Sequence, residues 1–118
     1  MATLLEPAVL DHSLRWNGGR RMYAIVFDLD TEALANAYPT SNWNNAYRDI
    51  RDGLCEFGFT WQQGSVQFGG PDVTPVVCVL AVQELVRRFS WLAPSVRDIR
   101  MLRIEENNDL MPALSSSF

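Results

Sequence analysis

The sequence predicts an α+β domain of order β-α-β-β-α-β, a four-stranded antiparallel sheet with both helices on one face, the ferredoxin-like arrangement. Three observations predict it. Two stretches, Asn44 to Phe57 and Thr74 to Phe89, carry apolar residues at helical spacing. Four other apolar or alternating runs read as strands. Chain breakers at Pro39, Gly58, Gly64 and Pro94 separate these segments.

The first strand is Tyr23 to Leu29, short and apolar until its end. "ANAYPTSN" reads as a connection, because Pro39 stops any helix begun at Thr31. The first helix spans Asn44 to Phe57. Tyr47, Ile50, Leu54 and Phe57 form its inner face, and Arg48, Asp49, Arg51 and Asp52 its outer one. Ser41 or Asn42 caps it and Gly58 ends it. Phe59 to Gln62 and Ser65 to Phe68 form a hairpin about Gln63-Gly64. The valine run after Thr74 is too long for a strand, and Thr74-Pro75 is an N-cap with a first-turn proline. Cys78, Val82, Leu85 and Phe89 share one face of that second helix. "VRDIRMLRIEE" is the last strand. Such a sheet leaves one face bare, a surface suited to a second copy of the chain.

At 118 residues the chain is one domain. Residues 1–21 read as a loosely held extension joined at "WNGGRR", with Met22 a plausible alternative start; residues 22–114 form the domain, and 115–118 a tail. No run of 18 apolar residues predicts a membrane helix. "MATLLEPAVLDHS" lacks the basic start of a secretion signal, so cytoplasmic residence is expected. Cys55 and Cys78 read as buried free thiols. One histidine, His12, and no Cys-x-x-Cys argue against a zinc centre. The net charge of −4 does not mark a general nucleic-acid binder, but all ten basic residues are arginine, the better partner for phosphate.

Chemistry concentrates in "YAIVFDLDTEALA". Asp28 and Asp30 stand two apart at a strand end, a spacing that points both carboxylates to one side. Asp-x-Asp-x-Thr resembles the first motif of haloacid-dehalogenase-type phosphatases. That reading fails: the chain has no lysine, no later acidic pair in the required place, and too few residues for a doubly wound sheet. The plainer alternatives are a strand-ending turn for Asp28 and a helix N-cap for Asp30. Arg97, Arg100 and Arg103 either guard an edge strand or hold phosphates, and in a regular strand Arg97 and Arg103 share a face that Arg100 does not. Ser65 and Gln67 serve the hairpin or hydrogen-bond to substrate. Trp43, Trp61 and Trp91 either pack or stack on unpaired bases.

From Met22 to Leu114 the chain resembles the virulence-associated protein D (VapD) family. The resemblance is carried by "MYAIVFDLDTEAL", "SNWNNAYRDIR", "GFTWQQGSVQFG" and "VLAVQELVRRFSWLAPSVRDIRMLRIEENNDLMPAL". It departs chiefly in the 21 residues before Met22. The family is similar in fold to the small nuclease subunit of CRISPR adaptation. The resemblance implies a homodimeric endoribonuclease acting on single-stranded RNA, in some bacteria the toxin paired with an antitoxin protein. It also implies Asp28 as the critical carboxylate. RNA carries its own nucleophile, the 2′-OH, so such an enzyme needs a base and donors for charge growing on phosphate. Two copies of Asp28 meeting across a two-fold axis either act as that base or share a magnesium ion. The expected site is therefore Asp28 and Asp30 as catalytic residues, Arg97, Arg100, Arg103, Ser65 and Gln67 on substrate, and Asp28 on any metal. The rival class is a dimeric interaction module without catalysis.

Overall fold

The computed structural model describes residues 22–115. The predicted extension, with His12, and residues 116–118 of the tail lie outside the described residues. In chain order the elements are β1 (Met22–Leu29), α1 (Thr31–Ala37), α2 (Asn45–Cys55), β2 (Phe59–Gln63), β3 (Val66–Gly69), α3 (Pro75–Arg88), α4 (Leu92–Ser95) and β4 (Val96–Ile104), followed by a 3-10 turn at Met111–Leu114. The sheet order is β2-β3-β1-β4 and every pairing is antiparallel, the ferredoxin-like topology expected.

Alternation along β1 sets the layers. Ile25, Phe27 and Leu29 face the helices and join Ile50 and Leu54 of α2 and Cys78 and Leu85 of α3 in one core. Asp28, between two of these, is directed to the opposite sheet face. The two long helices meet closely at Gly53, where a Cβ would overlap the Leu85 side chain. Arg88 ties them at the surface, bonding Glu56 just past α2 at 3.0 Å and Glu84 of its own helix at 3.2 Å.

Several local expectations change. "ANAYPTSN" is helical through Ala37, because Asp30 caps α1 and Leu34 is fully buried beneath it. Pro39 stops this helix as expected, by holding Tyr38 in extended backbone. Neither Ser41 nor Asn42 caps α2 with its side chain. Instead the carbonyls of Asn42 and Trp43 accept the amides of Asn45 and Ala46 in a turn that runs into the helix. The hairpin turn falls at Gly64, whose φ of 52° suits glycine. Thr74 caps α3, its hydroxyl accepting the Val77 amide at 3.2 Å. In α3, Cys78 and Leu85 are buried and Val82 and Phe89 pack against the core as expected, and Ala81 is buried with them. Cys78 is buried and its thiol pKa is raised by desolvation, whereas Cys55 is exposed. Pro94 lies inside α4 rather than in a loop.

β4 is an edge strand whose residues are nearly all exposed, including Ile99, Met101 and Leu102. Leu110, Met111 and Leu114 are also exposed. None of the described helices is long and apolar enough to cross a membrane.

Candidate active site

Three chain segments converge where β1 ends and β4 begins. Asp28 is the last residue of β1 paired in regular register, opposite Asp98. Leu29 then pairs with Val96, so Arg97 is the extra residue of a β-bulge. Buried Ser95 anchors this end. Its carbonyl accepts the Asp30 amide at 2.8 Å, and its hydroxyl donates to the Trp91 carbonyl at 2.6 Å.

The bulge turns Arg97 toward the carboxylates. Its guanidinium lies 3.4 Å from Asp28 Oδ2 and 3.8 Å from Asp30 Oδ2. All three side chains remain open to solvent, 61% exposed for Arg97, 59% for Asp28 and 45% for Asp30. Asp30 also caps α1, its Oδ1 accepting the amides of Glu32 at 3.0 Å and Ala33 at 3.1 Å. One oxygen thus holds a helix start while the other faces Arg97.

The regular-strand parity expected for the three arginines does not hold at Arg97, because the bulge interrupts it. Arg97 joins Asp28, and Arg103 does not. Arg103 stands opposite Tyr23 on the helix side and pairs with Glu105 at 3.6 Å. Five residues separate it from Asp98, about 17 Å by strand rise. Arg100 shares Asp28's face, opposite Val26, and its Nε bonds both oxygens of Asp98 at 3.1 Å. That contact raises the Arg100 pKa further.

Ser65 sits at this same end of the sheet, its carbonyl accepting the Phe27 amide at 3.3 Å. Gln67 does not reach the surface. It is 1% exposed, between Ile25 and Trp61, with its amide oxygen unpartnered, so in this fold it offers substrate no contact. Trp91 is core, Trp43 packs against the core, and Trp61 remains open. Asp98 and Ser95 escaped sequence reasoning. Asp98 was legible in principle, being two residues from Arg100 and so on the same face. Ser95 was not, because its role depends on a backbone contact with a distant strand.

Asp28 and Asp30 are hard oxygen donors, the type magnesium prefers. The described residues nevertheless contain no group of three or more His, Cys, Asp or Glu able to hold a metal ion. Arg97 also places a cation against both carboxylates, where a metal would have to displace it. One chain alone brings this carboxylate pair, whereas the expected magnesium site draws on Asp28 of two chains.

The fold and this cluster define a class: a small ferredoxin-like protein with a solvent-facing carboxylate–guanidinium site at its strand ends. No family model matches the chain. Curated relatives do. The endoribonuclease VapD 2 of Riemerella anatipestifer is 52% identical over 94 residues, 80% of this chain and 100% of the relative. An endoribonuclease VapD homolog of Helicobacter pylori is 51% identical, spanning 79% of this chain and 96% of that protein. A second Helicobacter pylori protein, endoribonuclease VapD, is 35% identical over 80% of this chain and 100% of its own length. The chain belongs to the VapD family.

Proposed function

We propose that this protein is an endoribonuclease that cleaves single-stranded RNA at the Asp28–Arg97 cluster. The observation that carries the reading is the 3.4 Å approach of the Arg97 guanidinium to Asp28, in a chain whose relatives are named endoribonucleases. Asp28 takes the proton from the 2′-OH. The freed oxygen attacks the adjacent phosphorus, the P–O5′ bond breaks, and the departing 5′ oxygen takes a proton from water at this solvent-open site, which leaves a 2′,3′-cyclic phosphate and a 5′-OH end. Arg97 donates to the phosphate oxygens as negative charge grows on them. Asp30 holds Arg97 from its other side and fixes the start of α1. Arg100 offers a second cationic contact on the same face. No step is routed through a metal ion.

The enzyme is proposed to work as a homodimer in the cytoplasm. The support is β4, an edge strand with apolar residues bare on both faces, the kind of surface that pairs with a second chain. The role of toxin opposed by an antitoxin protein is proposed from the family resemblance alone.

The test is incubation with end-labelled single-stranded RNA and with the same sequence carrying 2′-deoxyribose throughout. Cleavage of the RNA alone is expected. Cutting of both strands would remove the 2′-OH mechanism, and cutting of neither would leave a non-catalytic interaction module as the better reading.

A further inference from the structure

A second cationic surface lies between α2 and the β2–β3 hairpin. Tyr47, Arg48 and Arg51 line it from the helix, and Trp61, Gly64 and Ser65 from the hairpin. The groove holds about 370 Å³, within the range of small-molecule clefts, roughly 300–1,000 Å³. The other described arginines each approach a carboxylate, whereas Arg48 and Arg51 form no ion pair with a described carboxylate. Among the described residues, then, no carboxylate pairs with the two guanidinium groups that line this groove.

The aromatic wall is held in place. The Arg51 guanidinium lies 4.8 Å above the centre of the Trp61 ring. The Trp61 indole N–H donates to the Gly64 carbonyl at 2.9 Å, which fixes the ring against the turn while leaving the residue 46% exposed. An exposed indole paired with a guanidinium is a stacking platform for an unpaired base. Its neighbours connect it to the strand-end cluster. The Tyr47 ring stacks on Phe27, with centroids 6.3 Å apart, and Phe27 immediately precedes Asp28. Ser65, at the groove's edge, accepts the Phe27 amide.

We propose that this groove is a second contact for single-stranded RNA, with Arg48 and Arg51 on a phosphate and one base stacked on the Trp61–Arg51 pair. The proposal rests on the endoribonuclease reading and extends it, giving a chain held on the helix face that passes round the strand end at Ser65 to Asp28 on the opposite face. It accounts for single-strand preference, since a base paired in a duplex cannot turn out to stack.

The test measures binding without cleavage, using the Asp28→Asn protein and a fluorescent single-stranded oligoribonucleotide across a salt series. Arg48→Gln with Arg51→Gln is expected to weaken binding at least about 10-fold and to flatten the log–log salt slope by about 0.7, the value for one neutralised phosphate on a single strand. Trp61→Ala is expected to lose about 10-fold, with Trp61→Phe keeping the stack and most of the affinity. Unchanged affinity or an unchanged salt slope in the double arginine variant would overturn the proposal. The same substitutions on the wild-type background separate the two readings. If they bind and cleave like wild type, the groove is refuted and the nuclease stands. If wild type neither binds nor cleaves, both fall.

Discussion

Arg97 reaches two carboxylates from the extra position of a β-bulge, Asp28 at 3.4 Å and Asp30 at 3.8 Å. In an unbulged β4 the side chain would alternate to the helix side with Ile99 and Met101. The bulge therefore sets the Arg97 guanidinium beside the two carboxylates.

If Arg97 stabilises charge on phosphate, Arg97→Gln should reduce the cleavage rate by about 100-fold, the usual cost of one such donor. Its ion pairs are exposed, so thermal stability should change by less than about 1 kcal/mol. A rate within a few-fold of wild type, measured on labelled single-stranded RNA, would return Arg97 to a solvated edge residue.

Substitution should separate the two roles of Asp30. Asn is as good an N-cap as Asp, so Asp30→Asn should leave stability nearly unchanged, while Asp30→Ala should cost about 1 kcal/mol in a denaturant melt. Equal stability of the two variants would mean that the amide contacts from Glu32 and Ala33 contribute nothing.

The Glu84 carboxyl is held below its ordinary pKa by hydrogen bonds first from Arg87 and then from Arg88. A carboxylate depressed in the folded state stabilises the fold above the unfolded pKa and loses that effect as pH falls through the folded value. Glu84→Gln should therefore lower the melting temperature at pH 7 and match wild type under acid conditions below that value. A difference that persists unchanged in acid would assign the loss to packing instead of charge.

The bare edge of β4 makes association testable. Light scattering after size exclusion should report twice the monomer mass at micromolar concentration. Met101→Glu with Leu102→Glu should shift it toward monomer, because charges on an edge strand oppose pairing. A wild-type monomer under these conditions would rule out a site shared between copies.

Much of the fold was legible because its signals are local. Thr74-Pro75 marks the start of α3, Gly64 the hairpin turn, and Ile50 and Leu54 the inner face of α2. Asp28 was visible as a carboxylate closing an apolar strand. The remainder depends on distant contacts. A seven-residue helix at Thr31 is stable only because Leu34 finds the core, and no local pattern reports that. The bulge at Arg97 is a mismatch between two strands 67 residues apart, so parity counted along β4 alone misplaced the side chain. Gln67 looked available because hairpin residues usually are; Ile25 and Trp61 on the flanking strands enclose it.

The most direct measurement compares wild type with Asp28→Asn on labelled single-stranded RNA in the presence of chelator, followed by analysis of the product ends. Cleavage by wild type to 2′,3′-cyclic ends, with none by Asp28→Asn, is the expected result. Equal cleavage by the two proteins would contradict Asp28 as the base, and loss of wild-type cleavage in chelator would contradict a mechanism carried by Asp28 and Arg97 without metal.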